Sequence, residues 1–172
     1  MPRSAGVPAS IAKPTGASLV DQLMAGLQPQ PPDPEDVDLA ARTAFGEARG
    51  DPASLLGVIA TILNRQRQGQ WGDTVQEVVQ APKQYSSWNP EDPNRKKMLA
   101  KSAIAHPEFA DIQEQVLSLM QGETADPTGG AEFYFNPDTA QPQWDFGKLE
   151  PTVKLGRHQF YKRKRRKKSS AA

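Results

Sequence analysis

Apolar residues recur at helical spacing through the first two thirds of the chain, starting near residue 37. Steps of three and four residues predict a first helix that ends at Gly50, with an apolar side formed by Val37, Ala41, Ala44, Phe45 and Ala48. Asp51 and Pro52 then suit the N-cap and the first position of a second helix. Because its residues from Leu55 to Leu63 are apolar on most sides, we expect this helix to be central and buried.

Shorter helical segments follow. The chain breaks at Gly69–Gly72, and Thr74 with Glu77 forms a capping-box pattern that opens a short helix. After a loop over residues 81–93, the pattern predicts one helix over about residues 93–105 and another from Pro107 to a stop at Gly122.

The pattern changes character after residue 125. The turn-forming sequence DPTGG at residues 126–130 leads into the aromatic, strand-like AEFYF of residues 131–135. Residues 153–161 (VKLGRHQFY) alternate well enough to predict a second strand. The expected fold class is therefore α+β, mainly helical, with a small antiparallel sheet near the C-terminal end.

Composition divides the chain into an arm, a body and a tail. Residues 1–35 are rich in proline, with an extended QPQPPDP segment at residues 28–34 and a short apolar helical pattern between Leu19 and Leu27. That pattern predicts either a frayed helix or a short docking helix. We assign residues 36–161 to the folded body and residues 162–172 to a basic tail.

Charge is distributed unevenly between these parts. The formal net charge of +1 conceals an unbroken run of seven basic residues, Lys162–Lys168, beside an acidic remainder. The tail fits a solvated segment, or attachment to an anionic surface such as wall polymers, lipopolysaccharide or phospholipid, or to a virion partner. Nucleic acid is a weaker alternative, because no aromatic residue interrupts the run and no nucleic-acid module is recognisable.

Several classes of protein are excluded by what the sequence lacks. With no cysteine and two histidines, the chain offers no disulfide, thiolate zinc site, Cys nucleophile or three-His metal site, and we expect no cofactor. No run approaches the length of a membrane span, and the first 20 residues lack the apolar region of a secretory signal peptide. If the protein acts outside the cytoplasm, another route must deliver it.

The strongest chemical candidate is Glu47 in the segment AFGEARG, residues 44–50. A carboxyl group between Phe45 and Ala48 faces the apolar side of the first helix or its edge. Partial burial there would raise its pKa and keep a proton available, as a general acid for glycosidic cleavage requires. Taken alone, a glutamate at a helix C-terminus also fits a solvated surface group.

Several ordered motifs resemble one known family. GEARGD at residues 46–51, LNR at 63–65, TVQEVV at 74–79 and QYSSW at 84–88 are similar to successive motifs of the SleB/CwlJ-type cell-wall hydrolases. The resemblance continues in DPTGGA at 126–131, FYFN at 133–136 and GRHQFY at 156–161, so that it covers residues 39–161. The chain departs from the family pattern at Asp51, at Tyr85, and at Phe135, which affects the register of Asn136.

The resemblance implies a lysozyme-like fold related to lytic transglycosylases. It implies peptidoglycan as the substrate, cut between N-acetylmuramic acid and N-acetylglucosamine, with Glu47 as the catalytic acid. A retaining or inverting hydrolase needs a second carboxylate. Asp51, Glu132 and Asp145 are candidates, but each also suits a surface, cap or turn role. A lytic transglycosylase needs only Glu47, which then takes the proton of the sugar's own C6 hydroxyl, and we favour this mechanism.

Sugar binding requires flat apolar faces with polar edges, which tyrosine and tryptophan supply. On this basis and on the motif positions we predict a set of substrate-binding residues: Gln84, Tyr85, Ser86, Trp88, Tyr134, Asn136, His158 and Tyr161. Ser86 and Asn136 also suit turn caps, and His158 also suits a structural role between strands.

The predicted function is that of a peptidoglycan-degrading enzyme. Without a standard signal, it fits a phage endolysin released from the host cytoplasm through a separate pore, or a particle component that opens the wall during entry. Two alternatives stay open: a non-catalytic structural or binding component of a phage particle that keeps the fold, and a nucleic-acid-associated protein that acts through its basic tail.

Overall fold

The computed structural model describes Ser18 and residues 31–165. The body begins at Pro32. The predicted arm helix between Leu19 and Leu27 and the end of the basic tail from residue 166 lie outside the described residues. Among those that are described, no helix combines the length and apolar character needed to cross a membrane.

Two long helices form the centre of the body. Helix α1 (Pro34–Ala48) begins at Asp33, whose side chain accepts the amide of Glu35. Helix α2 (Pro52–Gln68) begins at Asp51 and ends at Gly69, which has a φ of 65°. The predicted N-cap of α2 is thus confirmed, and its apolar core residues are buried as expected, with Val58, Ile59 and Ile62 at 0% exposure.

Shorter helices surround this pair. Helix α3 (Val75–Gln80) opens with the predicted capping box, in which Thr74 and Glu77 exchange hydrogen bonds. A 3-10 turn (Ser86–Trp88) follows, then α4 (Pro93–Leu99), α5 (Lys101–Ile104) and α6 (Pro107–Gln121), which ends at Gly122. The single helix expected over residues 93–105 was wrong, since Ala100 adopts an extended conformation (φ −64°, ψ 147°) and divides it.

The sheet has three antiparallel strands, β1 (Phe133–Phe135), β2 (Leu149–Leu155) and β3 (His158–Arg163), in the order β1-β3-β2. The prediction of one strand over residues 153–161 was wrong. Leu155 pairs with His158 across a two-residue turn at Gly156 and Arg157, so the segment is a hairpin. Gly156 has a φ of 53°, which a residue with a side chain rarely adopts.

One close contact joins the sheet to the helices. The ring of Phe160 is fully buried against α2, and a Cβ atom at residue 57 would lie 2.3 Å from its Cζ atom. Gly57 therefore allows β3 to approach the backbone of α2. Since β1 pairs with β3, this contact also sets the position of Tyr134 relative to the helices.

Regular secondary structure extends slightly beyond residues 36–161 at both ends. Helix α1 starts two residues before the expected boundary at residue 36, and β3 continues through Lys162 and Arg163. Lys162 pairs with Glu150 at 3.3 Å, and Arg163 pairs with Glu132 at 3.4 Å. The first part of the basic run therefore belongs to the fold.

Candidate active site

Glu47 lies in the last turn of α1, facing the 3-10 turn at Ser86–Trp88. The backbone amide of Ser87 donates to Glu47 Oε1 at 3.2 Å. Gly46 makes this approach feasible, because a Cβ atom at that position would lie 2.9 Å from the Cβ atom of Ser87. Gly46 therefore allows α1 to pack closely against the turn whose Ser87 amide binds Glu47.

The surroundings of Glu47 favour its protonated form. Burial raises the pKa of this carboxyl above its ordinary value, and the carboxylate of nearby Asp92 adds to the increase. Hydrogen bonds from Ser87 and from the hydroxyl of Tyr134 act in the opposite direction, but burial outweighs them. The predicted environment of Glu47 is therefore present.

Two grooves meet at this carboxyl. The front groove, of about 530 Å³, is lined by Glu47 and by residues that include Arg65, Trp71, Gln84, Ser86, Tyr134 and Trp144. The rear groove, of about 460 Å³, is lined by Glu47 with Gly46, Arg49, Asn94, Asn136, Arg157 and His158. Glu47 is the lining residue that the two grooves share.

A buried arginine supports the floor of the front groove. Arg65 is 5% exposed and donates from Nε to the carbonyl of Glu132 at 2.6 Å and from Nη1 to Gln84 Oε1 at 3.2 Å. Its guanidinium lies about 5 Å from the ring centroids of Trp71 and Tyr85. These contacts hold Gln84 in place and stack the aromatic floor around one cation.

The residue before Arg65 connects α2 to the loop that precedes the sheet. Asn64 Nδ2 donates to Asp126 Oδ2 at 2.9 Å and to the carbonyl of Ala131 at 3.0 Å. Asp126 in turn accepts the backbone amides of Thr128 and Gly130. The two motifs LNR and DPTGGA therefore form one hydrogen-bonded unit that places β1 beside the acid.

Five of the eight predicted substrate-binding residues line a groove. Gln84, Ser86 and Tyr134 line the front groove, while Asn136 and His158 line the rear one. Asn136 also caps a turn, accepting the amide of Asp138 at 3.0 Å. The His158 ring packs edge-on against Tyr134 at 5.1 Å, and burial lowers its pKa.

The other three line neither groove, since Tyr85 is buried and Trp88 and Tyr161 are half-buried. Tyr85 is 2% exposed, and burial raises its pKa to about 12. Trp88 donates from Nε1 to Thr43 Oγ1 at 2.9 Å and packs against the core. Tyr161 stacks on Phe135 and lies edge-on to Trp144. Instead of lining a groove, these rings support the residues that do.

The three candidates for a second carboxylate have other partners. Asp51 caps α2 and accepts the amide of Arg157 at 3.1 Å; partial burial raises its pKa, but hydrogen bonds from Ser54 and Arg157 outweigh this and lower it overall. Glu132 pairs with Arg163, and Asp145 pairs with Lys148 at 3.0 Å. Of the described residues that line the front or rear groove, Glu47 is the sole carboxylate.

Several lining residues were not predicted as site residues. Trp71, Lys83, Phe133 and Arg163 line the front groove, and Lys83 has a φ of 63°, which is uncommon for a residue with a side chain. No local pattern marks them, because they come from four separate segments. Within the described part of the chain, no group of three or more His, Asp or Glu residues is arranged to hold a metal ion.

A helical body with a small sheet, and a half-buried acid that lines two grooves, fit the lysozyme-like fold. Residues 27–161 match the family model described as cell wall hydrolase, and the chain belongs to that family.

Known relatives agree with this membership. The spore cortex-lytic enzymes of Halalkalibacterium halodurans and Oceanobacillus iheyensis are 33% and 34% identical to the chain over 127 and 136 residues, which is 73% and 78% of its length. Because these matches cover 34% and 44% of the relatives, the chain spans less than half of their length.

Two solved structures share the fold. The catalytic domain of the germination-specific lytic transglycosylase SleB from Bacillus anthracis superposes with a TM-score of 0.61 at 29% identity, covering 78% of this chain and all of that domain. The catalytic domain of the Bacillus cereus SleB protein gives the same TM-score at 30% identity, with 78% and 94% coverage. The predicted family and fold class are confirmed.

Proposed function

We propose that this chain cleaves the glycan of peptidoglycan between N-acetylmuramic acid and N-acetylglucosamine, with Glu47 as the single catalytic acid and base. The observation that supports the proposal most directly is the position of Glu47, a carboxyl with a raised pKa where two grooves meet. Membership of the cell wall hydrolase family supports the choice of polymer.

In the first step, Glu47 donates its proton to the bridging oxygen as the bond from that oxygen to muramic C1 breaks. Positive charge develops at C1 and the ring oxygen. The carboxylate left behind accepts hydrogen bonds from the amide of Ser87 and the hydroxyl of Tyr134. These donors stabilise the carboxylate at the moment when it forms.

In the second step, the C6 hydroxyl of the same muramic residue attacks C1, and Glu47 takes the hydroxyl proton. The product is a 1,6-anhydro sugar, and the acid returns to its starting state. This route is favoured because Asp51, Glu132 and Asp145 are held by other partners. Among the described residues that line the front or rear groove, no second carboxylate is present to act as nucleophile or to activate water. One of the similar structures is a lytic transglycosylase, which agrees with this choice.

Substrate contacts are divided between the two grooves. Gln84, Ser86 and Tyr134 offer hydrogen-bonding groups on the front side of the acid, and Asn136 and His158 do so on the rear side. We assign Tyr85, Trp88 and Tyr161 to a supporting role, because none of them lines the front or rear groove and each packs against neighbouring residues.

Replacement of Glu47 tests the proposal. Glu47→Gln keeps the shape of the side chain but removes the acid, so the rate of wall degradation should fall by about two to four orders of magnitude. Glu114→Gln, at an exposed position on α6, is the matched control and should retain the wild-type rate. Release of muropeptides from purified walls, followed by mass spectrometry, gives both the rate and the product.

The mass of the product separates the mechanisms. Anhydro muropeptides, lighter by one water than the hydrolysed products, support the transglycosylase route. Products with reducing ends would show that the protein cleaves the glycan by hydrolysis, which would contradict the mechanism with Glu47 alone. If the wild-type protein binds walls but releases nothing, the alternative of a binding module that keeps the fold replaces the proposal.

The setting in phage lysis or in a phage particle stays a prediction. The proline-rich arm and the end of the basic tail, which suit docking in a larger assembly, lie mostly outside the described residues. Proteomic analysis of purified particles against lysates of infected cells would distinguish a particle component from a lysis enzyme. The nucleic-acid alternative is weakened because Lys162 and Arg163 pair with Glu150 and Glu132 within the fold.

A further inference from the structure

We propose that the end of β3, together with the turn before β2, forms a binding surface for the carboxylates of peptidoglycan stem peptides. This inference rests on the proposed function, because it places those peptides on the same glycan strand that passes over Glu47. The surface is a third groove, of about 660 Å³, which we call the basic groove. Its walls include Phe133, Trp144, Lys148, Arg163, Lys164 and Arg165.

The basic groove continues the front groove. Phe133, Trp144 and Arg163 line both of them and pack on one another, so they form a wall that the front groove and the basic groove share. Arg163 marks the junction, with its guanidinium 4.7 Å from the Trp71 ring centroid and 5.6 Å from that of Phe133. We call these two adjacent grooves the trench; Glu47 lines its front part, and the cations line its other part.

The charge of the basic groove is strongly positive. Four of its lining residues are cationic, and one, Asp145, is anionic and pairs with Lys148 at 3.0 Å. Arg163 is partly neutralised by Glu132. Lys164 and Arg165 are exposed cations that line the groove, and the charge of Lys164 contributes to the lowered pKa of Asp145.

The backbone holds these cations in position. The amide of Lys164 donates to the carbonyl of Lys148 at 2.9 Å, which extends the pairing of β3 with β2 beyond the last strand residue. Lys164 Nζ also donates to the carbonyl of Gly147 at 2.9 Å. The cations of the basic groove are thus attached to the sheet that carries Tyr134, which lines the front groove together with Glu47.

The combination of walls and charges selects the ligand class. Aromatic faces at Phe133 and Trp144 suit sugar rings, while the lysine and arginine groups suit carboxylates. In peptidoglycan, every second sugar carries a peptide with free carboxylates, so a strand in the trench brings such a group to the basic groove. A phosphate polymer would also be attracted by this charge, but the continuity with Glu47 favours the peptide carboxylates of the strand being cut.

The test measures binding in the Glu47→Gln background, where no cleavage occurs. Glycan strands of matched length, free of phosphate polymers and with all amines acetylated, are compared before and after conversion of their peptide carboxylates to amides. The variant Lys148→Gln/Lys164→Gln/Arg165→Gln removes three cations of the basic groove. Lys96→Gln/Lys97→Gln/Lys101→Gln is the matched control, since these lysines are exposed on α4 and α5, outside the three grooves.

We expect the parent to bind native strands about tenfold more tightly than amidated strands, with the difference shrinking as salt is added. The basic-groove variant should bind both strands with the affinity that the parent has for amidated strands, and the control variant should match the parent. Equal affinity of the parent for both strands, or the same loss in the control variant, overturns the inference.

A separate arm addresses the phosphate source. If the basic-groove variant loses affinity for purified teichoic acid but not for native strands, the surface binds phosphate polymers and the inference is wrong. These binding results do not depend on turnover. A negative binding result would therefore not contradict the proposed activity, which is tested separately by the release of anhydro muropeptides by the wild-type protein.

Discussion

At the scale of single residues, the protonation of Glu47 depends on a balance between burial and two hydrogen-bond donors. Burial raises the pKa, while hydrogen bonds from Ser87 and from Tyr134 lower it. Desolvation of its half-buried phenol and the charge of Glu47 both raise the pKa of Tyr134, so the phenol stays protonated as a donor. Tyr134 is therefore both a groove residue and a group that adjusts the acid.

Tyr134→Phe removes this donor and keeps the ring that packs on His158 and Phe160. With one stabilising hydrogen bond lost, the pKa of Glu47 should rise further above its ordinary value. The first step needs the protonated acid, so activity falls as pH rises through that pKa. The alkaline limb of kcat/KM should therefore move to higher pH, as measured by turbidity loss of purified walls across pH.

Tyr161→Phe serves as the control for this prediction, because Tyr161 lies behind Trp144 and does not line the groove with Glu47. Its pH profile should match that of the wild-type protein. An alkaline limb that stays in place in Tyr134→Phe, or moves to lower pH, would show that the phenol does not adjust the acid.

Single residues also show where sequence reasoning reaches its limit. The burial of Glu47 was predictable, because it follows from its place beside the apolar side of a helix. The burial of Tyr85 was not predictable, since a tyrosine between Gln84 and Ser86 suits a groove as well as a core. The structure buries it beside the guanidinium of Arg65, a contact between residues 20 positions apart.

At the scale of elements, the predicted features that proved right are local ones. Asp51 with Pro52, Thr74 with Glu77, and Gly122 are capping signals within one turn of the helix end, and each cap is present. The break at Ala100 had no such signal, because neither glycine nor proline interrupts the pattern there.

The hairpin was missed for a related reason. Alternation across residues 153–161 predicts one strand, although Gly156 within it is a cue for a turn. The other half of the hairpin, from Leu149, contains Pro151 and carries a register shift between Pro151 and Lys154. Proline and an irregular register weaken a period-two pattern, so pairing with β3 defines β2 better than its own sequence does.

The contact between Gly57 and Phe160 yields a prediction at this scale. In Gly57→Ala, the new methyl group would overlap the Phe160 ring, which should lower the free energy of unfolding by about 1–3 kcal/mol despite the better helix propensity of alanine. Urea unfolding gives the change. Relief of this overlap would displace β3 and, with it, the paired strand β1 that carries Tyr134, so activity should fall as well.

The double variant Gly57→Ala/Phe160→Leu distinguishes overlap from other causes. A smaller side chain at residue 160 leaves space for the methyl group, so the loss in the double variant should be smaller than the sum of the two single losses. Strict additivity, or an unchanged stability in Gly57→Ala, would show that the close approach does not limit the packing of β3 on α2.

At the scale of the whole molecule, the basic run is divided between the fold and the remainder of the chain. Composition alone suggested a boundary after Tyr161, because seven basic residues in a row are typical of a solvated tail. Pairing places Lys162 and Arg163 in β3, opposite Glu150 and Leu149. The first two residues of the basic run are therefore the end of a strand. Only their partners across the sheet distinguish this strand end from a solvated tail.

Shortening the chain tests where the body ends. A protein that ends at Arg165 keeps the pairs of Lys162 and Arg163 and the hydrogen bond from the Lys164 amide to Lys148. A protein that ends at Tyr161 loses them and leaves the Glu132 carboxyl, 5% exposed, without its cation. We expect its free energy of unfolding to be lower by about 2–4 kcal/mol, measured by urea denaturation of the two shortened proteins.

Glu132→Gln in the shorter protein separates the lost ion pair from the lost strand pairing. Removing the uncompensated charge should restore part of the stability, because a buried neutral amide costs less than a buried carboxylate. The remaining deficit then measures the last residues of β3. Equal midpoints for the proteins that end at Arg165 and at Tyr161 would return the boundary to Tyr161, and the basic groove would lose its attachment to the sheet.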